Sequence, residues 1–191
     1  MAARCAAVIL AAGASERMGT PKALLPWAGT TLLVYAVDQA NAAGAQEVVV
    51  VLGPTTSHIE VNAQVVVNPD PSTGRSASIR LGAAALPYGV DAIVVQSVDQ
   101  PVPAEVLRVL YAALAPDIDV VVPTYAGRRG HPVAFSGKLL DELREATESD
   151  QGLRAVVRRH AARLKEVVVD TEAVLWNLND PASYAAATTE S

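Results

Sequence analysis

The stretch LAAGASERMGTPK, residues 10–22, follows directly on a short apolar run. A short apolar run that ends at glycine is typical of a buried strand emerging into a loop. The loop contains Gly13 and Gly19, and glycine lets main-chain N–H groups turn toward an anion. It also carries Arg17 and Lys22. The planar guanidinium group of Arg17 and the compact ammonium group of Lys22 can both bind phosphate oxygens. The stretch therefore predicts a nucleotide-phosphate site after the first strand.

Two familiar phosphate loops do not fit this stretch. It lacks the Gly-Lys-Ser/Thr ending of a P-loop, and its glycines are not spaced as in the dinucleotide-binding fingerprint. The second apolar run continues into Gly53 and Pro54 and offers no acid for a ribose 2′-hydroxyl. These differences count against a nicotinamide-dependent reductase. A reductase or a non-catalytic binder on the same scaffold stays open, because a fold does not fix a function.

Apolar runs alternate with helical patterns along the chain. The patterns predict strands over 6–11, 47–52, 64–67, 91–96, 119–123 and 165–170. They predict a first helix from Leu32 to a stop at Gly44, and further helices over 55–60, 76–86, 104–114, 137–146 and 152–162. A last helix is predicted with Asp180 as its N-cap and Pro181 at its first position. A β-hairpin is expected over 124–136, with 127–130 at its tip. This alternation predicts a three-layer α/β fold with a mostly parallel sheet.

The composition favours one globular domain over residues 1–191, with 51% hydrophobic residues and 4% aromatic residues. The net charge of −5 argues against general nucleic-acid binding. The sequence has no long apolar span, no signal-peptide pattern and a single cysteine, so we expect a cytoplasmic protein that does not bind membranes.

Nine of the fifteen basic residues fall between Arg128 and Lys165, which indicates either a solvated helical face or a field that attracts an anionic substrate.

The stretch 10–22 resembles the signature of the MobA-like nucleotidyltransferases, which open with LAAGxSxRMGxxK. Its continuation LLPWAGTTLL, residues 24–33, looks most like the molybdenum cofactor cytidylyltransferases. The resemblance implies a Rossmann-like α/β/α fold of the nucleotide-diphospho-sugar transferase type with a β-hairpin insertion. It implies Mg²⁺-dependent transfer of CMP from CTP to a molybdopterin-type cofactor with release of pyrophosphate, with GTP as the alternative donor. A molybdoenzyme or its maturation chaperone is the further partner that it implies.

Two segments are expected to bind the nucleotide. The first provides Leu10, Ala11, Ala12, Gly13, Arg17 and Lys22. The second is the Gly-Arg-Ser entrance of the helix at 76–86, where free N–H groups gather. There the resemblance implies contacts to the base and ribose from Gly74, Ser76 and Ser78, while a simple N-cap is the alternative role of Ser76.

Asp99 is expected to bind the metal and, with Arg17 and Lys22, to serve catalysis. It follows the strand at 91–96, and Mg²⁺ prefers such a carboxylate together with phosphate oxygens. A turn or capping carboxylate is the alternative, and the resemblance favours the metal because the family carries its metal-binding aspartate in an Asp-x-Pro. Relatives often read Asp-x-Asn-Thr-Pro further on, and this chain has Asn177 in place of the acid. An amide oxygen brings no charge, so we expect weaker metal binding.

The acceptor substrate is expected near two further segments. Gly130, His131 and Pro132 match a Gly-His-Pro that approaches the acceptor in the family, although a lone histidine is usually a polar loop residue. Asp150 opens the run DQGLR, which resembles the acidic, glycine-containing acceptor loop of the family. A helix N-cap is the alternative role of Asp150.

Overall fold

The computed structural model describes residues 3–13, 18–148 and 152–188. The strands are β1 (Cys5–Ala11), β2 (Pro26–Trp27), β3 (Thr30–Thr31), β4 (Ala45–Leu52), β5 (Gln64–Val67), β6 (Ala92–Ser97), β7 (Val120–Tyr125), β8 (Arg128–Arg129), β9 (Val133–Ser136) and β10 (Leu164–Val168). The helices are α1 (Leu32–Ala42), α2 (Arg75–Ala85), α3 (Ala104–Ala113), α4 (Leu140–Arg144), α5 (Leu153–Arg159) and α6 (Pro181–Thr188).

Eight of the strands in the described residues form one sheet, with the order β10-β7-β9-β6-β1-β4-β5 and β8 paired to β7. The pairs β1–β4, β1–β6, β4–β5 and β7–β10 are parallel, whereas β9 is antiparallel to both β6 and β7. The strands β1, β4, β6 and β7 therefore end at the same edge. This mostly parallel sheet with flanking helices confirms the predicted three-layer α/β fold.

Alternate residues of the central strands supply two separate cores. Ile9 and its neighbours on one face pack with α1 and α3, through residues such as Leu33 and Leu107. Val8 on the other face packs with α2 and α4, through residues such as Ile79. Side chains alternate between the faces of a strand, so a strand that is apolar throughout must be covered on both sides. All seven residues of β1 are buried in this way.

Three local predictions differ from the structure. The helix predicted over 55–60 is only a 3₁₀ turn, Pro54–Thr56. Arg128 and Arg129 pair back on β7 as β8 instead of forming the hairpin tip. The next strand, β9, lies in the middle of the sheet between β6 and β7. A local pattern identifies a buried strand but does not identify its partners, because those partners are distant in the sequence.

The predicted starts of the first and last helices are confirmed by side-chain caps. Thr31 accepts a hydrogen bond from the backbone N–H of Val34 at 3.3 Å, at the start of α1. Asp180 accepts one from the backbone N–H of Ser183 at 2.8 Å, at the start of α6. Each cap satisfies a backbone donor that the first helical turn leaves without an intrahelical partner. Among the described residues, no helix is long and apolar enough to cross a membrane.

Several basic residues of the segment 128–165 pair with acids. The pairs are Arg129–Glu166, Arg144–Asp141, Arg159–Glu142 and Arg163–Asp119. Arg163 Nε lies 2.6 Å from Oδ2 of the buried Asp119. These pairs balance much of the positive charge within the segment. The pairing favours the interpretation of a solvated, charge-balanced face.

Gly82 is the position at which α2 lies closest to the sheet. A Cβ at this position would overlap the Val8 side chain and stand 3.1 Å from Cγ2 of Val51. We expect Gly82→Ala to lower the free energy of unfolding by about 1–3 kcal/mol, because overpacking outweighs the gain in helix propensity. Denaturant unfolding measures the change. Ala84→Gly, at an exposed position of the same helix, measures the difference in helix propensity between Ala and Gly. If Gly82→Ala stabilised the protein by that amount, the close packing at Gly82 would be contradicted.

Candidate functional site

The loops that follow β1, β4 and β6 meet at the carboxyl edge of the sheet. The backbone N–H of Val98 donates to the carbonyl of Leu10 at 3.0 Å, which ties the loop after β6 to the end of β1. A Cβ on Gly53 would stand 3.0 Å from the carbonyl oxygen of Ala12. Glycine at position 53 therefore lets the loops after β1 and β4 approach closely.

The end of β1 can face a ligand through its backbone. Leu10, Ala11 and Ala12 are buried, with side chains packed in the core, and Gly13 is exposed. Such a segment offers main-chain groups at the sheet edge, as a phosphate loop requires. Arg17 lies outside the described residues, so its role stays a prediction.

Lys22 contacts two side chains that are distant in the sequence. Its ammonium group donates to Oδ2 of Asp99 at 2.7 Å and to Oδ1 of Asn179 at 2.5 Å. Only 15% of the Lys22 side chain and 16% of the Asp99 side chain are exposed. Partial shielding from water strengthens such a pair relative to an open surface pair. The structure thus brings the predicted residues Lys22 and Asp99 together and adds Asn179.

Asn179 was missed by the sequence reasoning, which chose Asn177. The Asn177 residue is exposed, and its carbonyl accepts a hydrogen bond from the backbone N–H of Asn179 at 2.8 Å. The backbone N–H of Leu178 donates to the carbonyl of Asp99 at 2.9 Å. This bond holds the segment against the loop after β6 and brings the Asn179 amide to Lys22. The sequence did contain a signal for Asn179, because this residue matches the asparagine of the Asp-x-Asn-Thr-Pro pattern.

An aromatic cluster holds the segment that carries Asn179. The ring of Trp27, on the β2–β3 ribbon, lies 5.7 Å from that of Trp176 and 6.4 Å from that of Tyr184. The hydroxyl of Tyr184 also donates to the carbonyl of Pro26. Aromatic pairs at these distances stabilise beyond their buried area. Trp27 follows the Lys22 turn, so one cluster positions both partners of the Lys22–Asn179 contact.

The N-terminus of α2 forms a second polar centre. Gly74 has a φ of +100°, and a Cβ there would stand 2.5 Å from Cγ of Glu148. The Glu148 carboxylate accepts a hydrogen bond from the backbone N–H of Ser76. The Ser76 hydroxyl is buried and has no hydrogen-bond partner in the described part of the chain. Its oxygen lies 2.6 Å from the position of a Cβ on Gly152, so it faces the loop that also carries Glu148.

Ser78 lies deeper in the structure than its predicted role suggests. Its hydroxyl is buried and accepts a hydrogen bond from the side-chain amide of Asn68 at 3.0 Å. The side-chain oxygen Oδ1 of Asn68 in turn accepts a hydrogen bond from the backbone N–H of Asp70 at 3.1 Å. This chain of bonds joins α2 to the loop after β5. Ser78 therefore has a structural partner, and its contact with a nucleotide stays a prediction.

The Gly-His-Pro segment enters β9 beside the same centre. Gly130 lies against the backbone of Val174 with no room for a side chain. The backbone N–H of His131 donates to the carbonyl of Val174 at 2.7 Å, and the His131–Pro132 peptide bond is cis. His131 is exposed, whereas Pro132 is buried. The close packing at Gly130 fixes where His131 leaves the sheet. Asp150, the other predicted acceptor residue, lies outside the described residues.

Charged groups around His131 act on its ionisation. The His131 ring keeps contact with solvent, yet desolvation by surrounding protein atoms lowers its pKa from 6.5. The Arg75 and Arg154 guanidinium groups lower this pKa further, and Asp99 opposes them. Arg75 in turn interacts with Asp99, Glu148 and Arg154. The α2 entrance, His131 and Asp99 thus belong to one electrostatic neighbourhood.

The donor set at Asp99 fits a hard divalent cation only in part. The described residues contain no group of three or more His, Cys, Asp or Glu side chains that could hold a metal ion. One carboxylate and the amide oxygen of Asn179 meet at Lys22. Mg²⁺ commonly binds through one or two carboxylates and completes its shell with substrate phosphates and water. The residues therefore fit a cation that arrives with a nucleotide.

The fold and the position of these loops define the nucleotide-diphospho-sugar transferase class of α/β proteins. Residues 7–165 match the family described as the MobA-like NTP transferase domain. The match spans most of the chain, so the chain belongs to this family, which confirms the resemblance found in residues 10–22.

Curated relatives carry more than one activity. Nicotine blue oxidoreductase from Paenarthrobacter nicotinovorans is 33% identical over 172 residues, which cover 80% of this chain and 80% of that protein. The 2-C-methyl-D-erythritol 4-phosphate cytidylyltransferase from Streptomyces avermitilis is 32% identical over 198 residues, covering 95% and 78%. A probable molybdenum cofactor guanylyltransferase from Bacillus mycoides is 29% identical over 129 residues, covering 66% and 64%.

Solved structures share the fold over nearly the whole chain. Rv0371c from Mycobacterium tuberculosis has a TM-score of 0.84 and 30% identity, covering 99% of this chain and 100% of that chain. A manganese complex of Rv0371c has a TM-score of 0.80 and 28% identity, covering 98% and 100%. A nucleotidyl transferase from Methanothermobacter has a TM-score of 0.80 and 26% identity, covering 98% and 97%.

The contact between Lys22 and Asn179 can be measured by a double-mutant cycle. We expect Lys22→Met and Asn179→Ala to show a coupling of about 1 kcal/mol in the free energy of unfolding, because the ammonium group donates to the amide oxygen. The matched cycle of Lys22→Met with Asn177→Ala should show no coupling. Equal coupling in the two cycles would contradict the assignment of Asn179.

The environment of His131 predicts its titration. We expect the midpoint of its ring resonances in NMR to lie below 6.5 and to rise in Arg75→Gln, because a neighbouring positive charge is removed. The unfolded chain takes up this proton near pH 6.5 and the folded chain only at lower pH, so His131 lowers stability as the pH falls below that value. Arg108→Gln, on α3, should leave the midpoint unchanged. A midpoint at or above 6.5 would contradict this environment.

Proposed function

We propose that this protein transfers CMP from CTP to a phosphorylated, molybdopterin-type cofactor and releases pyrophosphate. The observation that carries the proposal is the contact of Lys22 with Asp99 and Asn179 at the carboxyl edge of the sheet. Open α/β sheets bind ligands at this edge. Membership of the NTP transferase family supports nucleotidyl transfer as the reaction class.

Lys22 is proposed to stabilise the charge that develops on the phosphoryl oxygens and on the leaving pyrophosphate. The reaction is an in-line displacement at the α-phosphate, so the protein contributes mainly positioning and electrostatic stabilisation. Lys22 is oriented by Asp99 and Asn179 at the edge of the sheet where β1 ends. Arg17, in the same loop, is proposed as the second cation.

Asp99 is proposed to hold Mg²⁺, with the Asn179 amide as the nearest neutral oxygen donor. The cation would supply neutralisation of phosphate charge when bound. Rv0371c, which shares this fold, has been crystallised as a complex with manganese, and that complex supports a divalent cation here. An acceptor phosphate is already ionised near neutral pH, so the reaction needs no protein general base. Asn177, which is exposed, remains a proposed metal ligand beside Asp99.

Acceptor recognition is proposed for the segment that leaves the sheet at His131. Gly130, His131 and Pro132 lie in the same electrostatic neighbourhood as Asp99 and the α2 entrance. Because desolvation by surrounding protein atoms and the nearby Arg75 lower the His131 pKa, its neutral ring can accept or donate a hydrogen bond near pH 7. Asp150 is proposed to face the acceptor from the neighbouring loop. The product would pass to a molybdoenzyme or its maturation chaperone.

The choice of CTP rests on residues 24–33 and on the cytidylyltransferase relative that covers 95% of this chain. GTP is the alternative donor, favoured by the relative described as a molybdenum cofactor guanylyltransferase. Gly74, Ser76 and Ser78 are the residues proposed to contact base and ribose. A comparison of the two nucleotides decides between them.

A reductase is a second candidate because nicotine blue oxidoreductase is 33% identical over 80% of this chain. The end of β4 gives no support for a nicotinamide dinucleotide, since it continues into Gly53 and Pro54 without a carboxylate. A reductase would consume NAD(P)H, whereas a nucleotidyltransferase would release pyrophosphate. A non-catalytic binder would do neither.

The test is to incubate the protein with CTP or GTP, Mg²⁺ and molybdopterin cofactor and to measure pyrophosphate. We expect release with CTP to exceed release with GTP. Lys22→Met and Asp99→Asn should each reduce kcat by about 10²- to 10³-fold, because each removes a charge that acts on the transition state. Lys165→Met removes an exposed lysine from β10 and should leave kcat unchanged.

Three outcomes contradict the proposal. Pyrophosphate release that survives both substitutions would remove the assigned roles. Consumption of NAD(P)H without pyrophosphate release would establish the reductase. A loss of activity in Lys22→Met that is matched by a loss of thermal stability would identify Lys22 as a structural residue.

A further inference from the structure

The loop that carries Asp99 is a tight turn held by backbone hydrogen bonds. The backbone N–H of Gln100 donates to the carbonyl of Ser97 at 3.1 Å, so Asp99 is one of the two central residues of a β-turn. The carbonyl of Asp99 accepts from the backbone N–H of Leu178 at 2.9 Å. These bonds leave the carbonyl of Gln100, at the end of the turn, to be satisfied by another donor.

A buried side chain provides that donor. Nε2 of Gln96 donates to the carbonyl of Gln100 at 3.0 Å, and Gln96 is only 1% exposed. Because side chains alternate along a strand, Gln96 shares its face of β6 with Val94, which lies in the core with α1 and α3. A buried amide on such a face lowers stability unless it is hydrogen-bonded. The bond to the turn therefore explains how this core tolerates a glutamine.

The side chain of Gln100 does not replace this bond through its own oxygen. Its Oε1 is buried and has no hydrogen-bond partner in the part of the chain that the structure describes. The turn is followed by Pro101, and a proline restricts the residue before it to extended conformations. The end of the turn is thus fixed by the Gln96 amide and by Pro101.

We propose that Gln96 is a positioning residue, whose amide holds the turn 97–100 in the arrangement that directs the Asp99 carboxylate toward Lys22. Oδ2 of Asp99 accepts from Nζ of Lys22 at 2.7 Å, and such a bond weakens when its acceptor moves. Without the amide, the Gln100 carbonyl loses its donor and the turn populates other arrangements. The effect of Gln96 on nucleotidyl transfer rests on the proposed function, whereas its effect on the Lys22–Asp99 pair does not.

The test measures the Lys22–Asp99 pair in the protein without metal or nucleotide. A double-mutant cycle of Lys22→Met and Asp99→Ala gives the coupling between the two side chains in the free energy of unfolding. We expect this coupling to fall to about half or less when the cycle is repeated in Gln96→Met, because the carboxylate then contacts the ammonium group in fewer molecules. Methionine is unbranched like glutamine and has no N–H to donate.

The matched control is Gln39→Met. Oε1 of Gln39 accepts a hydrogen bond from the backbone N–H of Ala104 at 2.9 Å, so this glutamine also joins a side chain to the main chain, at the start of α3. Its replacement removes a comparable bond and should leave the Lys22–Asp99 coupling unchanged. Gln96→Leu is a second variant with the same expected result as Gln96→Met, so the conclusion does not depend on how one replacement packs.

A second readout follows the divalent cation, again without turnover. We expect Gln96→Met to weaken Mn²⁺ binding in the presence of CTP by about tenfold, because a residue that orients a metal-binding carboxylate commonly contributes that much. The electron paramagnetic resonance signal of free Mn²⁺ measures the affinity. Gln39→Met should bind Mn²⁺ as tightly as the unsubstituted protein.

Two results would overturn the role of Gln96. A Lys22–Asp99 coupling that is unchanged in both Gln96 variants would make Gln96 a buried residue that contributes to stability alone. An equal fall of the coupling in Gln96→Met and Gln39→Met would indicate a general loosening of the core. If the unsubstituted protein binds no Mn²⁺ with CTP, the proposed metal role of Asp99 fails, and the coupling still decides the role of Gln96.

Discussion

The ion pair between Lys22 and Asp99 is the interaction on which the candidate site depends. Its partners are 77 positions apart in the sequence, and Asn179 joins them from 157 positions beyond Lys22. They meet because β1 and β6 are adjacent parallel strands that end at one edge. Three features bring these side chains together: the sheet order, the backbone hydrogen bond from Leu178 to Asp99, and the aromatic cluster. The geometry of the site therefore depends on the order of the strands in the sheet more than on any single sequence motif.

Both polar centres carry their own counter-charges. Asp99 neutralises Lys22 in the first, and Glu148 occupies the helix entrance near Arg75 in the second. A phosphate that binds at either centre would therefore exchange with a protein carboxylate. Exchange of this kind lowers affinity for any single anion and favours a ligand that satisfies several groups at once.

Local signals were sufficient for much of the fold. Strand β5 covers Gln64–Val67 as predicted, and Asp180 caps the last helix, because apolar runs and capping residues act over a few positions. The insertion of β9 between β6 and β7 could not be predicted in this way, since pairing partners lie far apart. For the same reason Asn179 and Glu148 were missed, as each acts through a contact with a distant segment. Arg17 and Asp150 remain predictions.

The aromatic cluster around Trp27 has a consequence for the order in which the molecule is completed. Every strand of the large sheet precedes Trp176 in the chain, so the sheet can assemble before the segment with Asn179 has been synthesised. Lys22 would then face Asp99 without its amide partner. A chain that stops before Trp176 would keep every strand of the large sheet but would lack the amide that contacts Lys22.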